Sequence, residues 1–217
     1  MKEWTDSYKI YFGQKNFLVS SIVSFVLLLM SLVVNFYAGV FASERASNAV
    51  TDIILSNIRV YDVDGIFIYG SWVLVIIIGL VCFRYPWKIP FILKSIALFV
   101  LTRSVFITLT HIGPFLTTDI IRPKGFLSYF VFGGDLFFSG HTGLPFLLSL
   151  IFWKEKILRT LFLLSSFVFG SVVLLAHLHY SIDVLSAYFI TFTIYHIALK
   201  LFKKEKEIFD SGQIQQF

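Results

Sequence analysis

The sequence predicts an all-α integral membrane protein, a bundle of six transmembrane helices. Three observations lead there. Of 217 residues, 57% are hydrophobic and 14% charged, and the mean hydropathy is +0.83, far outside the range of soluble globular chains. Six apolar runs approach or reach the roughly 20 residues that a bilayer core requires. Lys and Arg also alternate between connections, as they do when successive loops lie on opposite sides of a membrane.

The expected spans are about 17–41, 65–83, 89–112, 138–153, 158–176 and 182–202, within one transmembrane domain covering 1–217. Before them, Trp4, Tyr8 and Tyr11 stand at near-helical spacing, which suits a segment lying along the interface or a solvated tail. No short apolar core with a small-residue cleavage site opens the chain, so the first run is expected to remain as a span. Tyr85, Trp87, Trp153 and Tyr180 stand at span ends, where amphipathic rings meet headgroups. The lone Cys82 excludes an intramolecular disulfide and is read as a packing residue.

Charge sets the expected orientation. The amino terminus, second loop, fourth loop and carboxyl tail together carry twelve Lys and Arg residues, whereas the first and third loops carry only Arg45, Arg59, Arg122 and Lys124. Both termini are therefore expected in the cytoplasm, with the first, third and fifth loops outside. The formal charge of +5 is topological on this reading: the cations occupy short loops rather than one basic face, and nucleic acid is not an expected partner.

Two polar segments interrupt this pattern on the expected outer side. The first is Gly134-Asp135-Leu136-Phe137-Phe138-Ser139-Gly140-His141-Thr142, and the second is His177-Leu178-His179-Tyr180-Ser181-Ile182-Asp183. Ionisable groups at membrane depth are costly and usually functional. His179 and Asp183 are spaced i, i+4, which on a helix places them on one face. The carboxylate can then orient the imidazole as a nucleophile. His141, at a helix start set by Ser139 and Gly140, is suited to general-acid work beside N–H groups that favour phosphate. A zinc site built from His141, His177, His179 and Asp183 is the competing reading, but no His-Glu motif or second carboxylate pair accompanies it, and no metal is expected.

These two segments, with Ala187-Tyr188-Phe189-Ile190-Thr191 after them, closely resemble the sphingomyelin synthase family, a branch of the type 2 phosphatidic acid phosphatase superfamily. Weaker similarity lies at Arg103 and Thr110 and around residues 52–58. The resemblance implies that His179 attacks phosphorus, Asp183 supports it and His141 assists the leaving group, with no metal and no soluble cofactor. It also implies membrane phospholipid and lipid-alcohol substrates. The broader phosphatase pattern is only partly kept: Arg122-Pro123 is present, but Phe115 stands where a Lys is expected and Val172-Val173 replaces Ser-Arg.

The phosphate-binding cations are therefore sought elsewhere. Arg103, expected about 13 Å below the outer end of its span at 1.5 Å per residue, must pair with a carboxylate or bind phosphate. Arg122 lies in the loop before the first motif and can reach a headgroup. Asp135 is read as an amine-recognising residue or as the cap of the fourth helix. Ser139, Gly140 and Tyr180 complete the candidate substrate-binding set, while His111 and His196 read as structural. Alternatives are an extracytoplasmic lipid phosphatase or phospholipase-C-like hydrolase, and a non-catalytic lipid transporter or scaffold. The broken helices or inverted repeats expected of a transporter are not evident.

Overall fold

The computed structural model describes residues 8–116 and 135–213. Within them the helices are α1 (Lys15–Glu44), α2 (Asp64–Arg84), α3 (Ile89–Leu109), α4 (Gly140–Ile151), α5 (Lys156–Leu175), α6 (Ser181–Leu201) and α7 (Lys203–Ser211). A 3₁₀ turn, Pro86–Lys88, leads into α3. No strand occurs among the described residues. All these helices except α4 and α7 are long and apolar enough to cross a membrane, and the chain is an all-α integral membrane protein.

The fourth run behaves differently from its hydropathy. An apolar stretch over 138–153 becomes a helix of only 12 residues, about 18 Å long and short of the roughly 30 Å bilayer core. Ser139 accepts a hydrogen bond from the Thr142 amide and so fixes the start at Gly140. Phe137 and Phe138 lie before that cap and approach α3, through Phe106–Phe137 and Phe99–Phe138 ring contacts. The third run is also shorter than expected, because residues 110–115 leave α3 without helical structure.

α4 is the hub. Leu147, Leu148 and Ile151 pack with Phe91, Phe99, Phe138, Phe162 and Ile194 in one buried cluster drawn from α3 to α6. Small residues allow this closeness. A Cβ on Gly143 would lie 2.8 Å from both the Phe99 ring and Thr191 Oγ1. Helix α1 docks on α3 by similar means, burying Ser24, Ser31 and Ala38 at seven-residue spacing with Ala42 beyond. The serine hydroxyls are satisfied inside the helix: Ser24 donates to the Ser21 carbonyl and Ser31 to the Leu28 carbonyl. Helix α2 is peripheral, with only Leu74 and Val81 buried.

The basic carboxyl tail folds back as α7. Ile208 and Phe209 are buried, the first beside Tyr11 and Phe17 and the second against Phe91 and Phe152. Gly212, at φ 62°, closes the helix in the left-handed conformation that glycine adopts without strain.

Gly143→Ala is expected to destabilise the bundle by about 1–3 kcal/mol through overpacking. Gly79→Ala, where an added methyl meets nothing within 4 Å, leaves stability unchanged or slightly raised. Thermal unfolding of both variants in detergent checks the contrast.

Candidate active site

The turn between α5 and α6 builds one half of the site. Helix α5 ends at Leu175 with Ala176 as its C-cap, and His177 then takes φ 54°. The His177 amide donates to the Leu174 carbonyl at 3.0 Å and the Leu178 amide to the Val173 carbonyl at 2.8 Å. This is a Schellman closure with histidine in the position usually given to glycine. Its tight reversal carries the chain to His179, and Tyr180 caps α6. His179 therefore lies outside the helix, contrary to the i, i+4 face expected from spacing alone. It meets Asp183 because the carboxylate reaches back over the helix start.

Asp183 is fully buried. Its Oδ2 accepts from the Tyr180 amide at 3.0 Å and lies 3.3 Å from His179 Nδ1. The shorter contact of Nδ1, at 2.8 Å, is to the Leu136 carbonyl. Two acceptors thus face Nδ1, which in the neutral ring places the proton there and leaves Nε2 as the nitrogen with the lone pair. The histidine is oriented chiefly by a backbone carbonyl of the first motif, with the carboxylate as second partner.

The two motifs interlock a second time, because the Ser139 amide donates to the Asp183 carbonyl at 3.1 Å. His141, in the first turn of α4, is half-buried between rings, 4.1 Å from the Phe67 centroid and 6.0 Å from that of Phe169. It is close enough to interact electrostatically with His179 and Arg103. Pro145 has no amide hydrogen, so the His141 carbonyl lacks its usual intrahelical donor. The Thr142 carbonyl accepts from Ser166 of α5 at 2.8 Å, fixing this turn laterally.

Arg103 underlies the first motif. Nη2 donates to Asp135 Oδ2 at 2.8 Å and to the Asp135 carbonyl at 2.9 Å, Nε to the Phe138 carbonyl, and Nη1 to Asn35 Oδ1, the last two at 3.3 Å. Gly140 makes room for it: a Cβ there would approach Arg103 Nε to 3.1 Å. Arg103 stands six residues before the end of α3, about 9 Å deep and shallower than the 13 Å expected. Asp135 does not cap α4, since Ser139 does; its carboxylate is drawn to the buried guanidinium.

Other expected contacts change character. Tyr180 is almost wholly buried, its hydroxyl donating to the Gly113 carbonyl at 2.8 Å and accepting from the Val50 amide at 3.2 Å. It clasps the α1–α2 connection and the segment after α3, and its polar atom is already engaged rather than presented to substrate. The Ser139 hydroxyl is likewise occupied by Thr142. Arg122 lies outside the described residues. His111 offers its backbone carbonyl to Ser47 while its Nε2 is buried with no hydrogen-bond partner among the described residues, and His196 Nδ1 faces the Phe192 carbonyl. Among the described residues no group of three or more His, Cys, Asp or Glu is arranged to hold a metal ion.

Residues 133–200 match the family model described as PAP2 superfamily C-terminal. The match supports PAP2 superfamily membership. At that coarse level the match points to lipid phosphatase or phosphotransferase chemistry. No curated protein and no solved structure matches the chain. The PAP2-matching stretch contains His141, His179 and Asp183, while Arg103 and Asn35 reach the site from helices before it.

Asp52 also lies outside that stretch, and only the weak similarity around 52–58 pointed to its loop. Its Oδ1 accepts from the Ile54 and Leu55 amides at 2.8 and 3.0 Å, and its Oδ2 from both the amide and the hydroxyl of Ser181, each at 2.7 Å. It therefore ties the α1–α2 loop to the first residue of α6, two positions after His179. Burial pushes this carboxyl up, but the hydrogen bonds from Leu55, Ser181 and Ile54 outweigh it and hold the group below its ordinary value of 3.8.

Asp52→Asn is expected to loosen the loop and lower both stability and turnover. In the parent protein, the stabilisation from Asp52 is fully present above the ordinary carboxylate value and is lost as pH falls through the lower folded value. Acid unfolding monitored between pH 6 and 2 should show this component disappear in Asp52→Asn. At position 177, Gly relieves the left-handed strain but gives up the buried ring against Phe115, whereas Val costs about 1–2 kcal/mol because its branched Cβ tolerates this conformation less well than histidine; thermal melts compare the two.

Proposed function

We propose that the protein is a membrane lipid phosphotransferase of the sphingomyelin synthase type, moving a phospho-headgroup between lipids through a phosphohistidine. The observation that carries this reading is His179, whose Nδ1 faces the Leu136 carbonyl and Asp183, with His141 in the same electrostatic neighbourhood.

In the first half-reaction His179 Nε2 attacks the phosphorus of a donor such as phosphatidylcholine or phosphatidylethanolamine. A P–N bond forms, the bond from phosphorus to the diacylglycerol oxygen breaks, and His141 gives that oxygen its proton. In the second half, the hydroxyl of ceramide or diacylglycerol attacks phosphorus and returns a proton to His141 as the P–N bond breaks. Asp183 and the Leu136 carbonyl stabilise the charge that develops on His179. The incoming phosphate supplies the negative charge that a protonated His141 needs beside Arg103. Arg103 keeps the first motif in place through Asp135 and the Phe138 carbonyl, and a headgroup phosphate can share its guanidinium.

The active site is assigned to the non-cytoplasmic side on charge distribution, with both termini inside. Aromatic surroundings favour a lipid hydroxyl over water as acceptor, since Phe67 and Phe169 flank His141. The PAP2 match equally accommodates hydrolysis, and the acceptor experiment separates the two.

Purified protein in mixed micelles with headgroup-labelled donor, with and without ceramide or diacylglycerol, is expected to move label to the acceptor. His179→Ala should lose about 10³-fold or more and His141→Ala about 10²–10⁴-fold. Label released only as soluble headgroup phosphate would make the protein a hydrolase. Activity surviving in His179→Ala would overturn the mechanism.

A further inference from the structure

His141 is held differently from the histidine it is paired with. Where His179 Nδ1 faces two oxygen acceptors, the described contacts of the His141 ring are with aromatic side chains. The nearer is Phe67, whose ring centroid lies 4.1 Å from that of the imidazole with 35° between the planes. This is a close face contact. It restricts rotation of the imidazole, and an aromatic face at such a distance also attracts a cation, which it does within about 6 Å.

The fold brings the two rings together. Phe67 stands in the first turn of α2, a helix with few buried residues, and two contacts fix that turn. Shortly before α2, the Tyr61 amide donates to the Leu175 carbonyl at the end of α5, at 2.9 Å. One turn into α2, Gly70 leaves room for the buried Phe169 ring, which a Cβ there would approach to 3.0 Å. Helix α2 is thus anchored at the same end of α5 that leads to His179. Phe192 and His196 stack comparably at 4.2 Å, but they lie four residues apart on one exposed helix, where helix geometry alone supplies the pair. Phe67 reaches His141 only because α2 is tied down beside α5.

We infer that Phe67 is a positioning residue for His141, setting the plane of the imidazole and offering its face to the imidazolium. The inference rests on the proton-transfer role proposed for His141. A general acid works only with its nitrogen aimed at the leaving oxygen, and small misplacements cost large factors in rate. Phe67 lies outside the PAP2-matching stretch, so α2 contributes to the site from beyond it.

Full-length protein carrying isotope-labelled histidine, of which the chain has five, tests the contact by NMR in detergent micelles. In Phe67→Leu the His141 ring protons, assigned with His141→Gln, are expected to lose the ring-current displacement of the parent, while those of His196 keep theirs. Turnover of headgroup-labelled donor, counted as transfer plus hydrolysis, should fall about tenfold or more in kcat with KM little changed. Phe67→Tyr, which keeps a ring, should restore most of it. Ile76→Leu, at an exposed position of the same helix, should leave both readouts as in the parent. Size-exclusion profiles and helical circular dichroism establish that the variants fold, and Phe67→Met supplies the same comparison if Phe67→Leu does not. An unmoved His141 signal, a kcat equal to the parent's, or Phe67→Tyr as slow as Phe67→Leu would overturn the inference. A rise in KM alone would also do so, because Phe67 would then line the lipid surface without positioning the histidine. A parent without turnover overturns the proposed function itself, and this role for Phe67 falls with it; normal turnover in Phe67→Leu beside an inactive His141→Ala removes the role of Phe67 only.

Discussion

Asp183 carries a carboxylate to a position with no solvent exposure, where a polar group without partners costs several kcal/mol, of order 2–7. This end of the bundle meets that demand at Oδ2, while Oδ1 has no hydrogen-bond partner among the described residues. One oxygen takes the Tyr180 amide and faces His179 Nδ1, while the Asp183 backbone carbonyl takes the Ser139 amide. These contacts simultaneously cap α6, orient an imidazole and bind the two polar motifs together. The geometry of the histidine is therefore inseparable from the way α6 begins.

Close packing makes the same geometry possible. Helix α4 is too short to cross a bilayer, yet most of its residues are buried. It can sit at the centre because Gly143 lets Phe99 and Thr191 approach and Gly170 admits Val184. Its amino end is thereby placed beside Arg103 and below the α5–α6 turn. Interiors this tightly packed tolerate little displacement, and the polar contacts at the site inherit that rigidity.

Hydropathy made most of the fold legible, because a bilayer imposes a length that a linear sequence records directly. The two motifs were legible for a related reason: His141, His179 and Asp183 stand out against an apolar background. Other features leave no local trace. Asp52 meets Ser181 across 129 positions and Asn35 meets Arg103 across 68, and neither partner has a spacing that announces the other. The left-handed conformation of His177 was hidden because glycine, its usual occupant, is absent. The fourth span was overestimated because hydropathy counts apolar residues whether or not they lie within the cap that starts the helix.

The charge balance of the site bears on how it can accept a phosphodiester. Arg103 is already paired with Asp135, so the two groups together present little net charge to a distant anion. A zwitterionic headgroup offers both signs at once. Its phosphate can share Arg103 while its amine faces the Asp135 carboxylate, which is about one-fifth exposed, and the pair is then divided between the two ends of the ligand without leaving either ion unmet. A phosphate monoester has no cation to return to Asp135, and binding it through Arg103 would strand a partly buried carboxylate at a cost typical of broken ion pairs, about 3–5 kcal/mol where burial is complete. Under the proposed function, the ion pair would therefore match a zwitterionic donor better than a phosphate monoester.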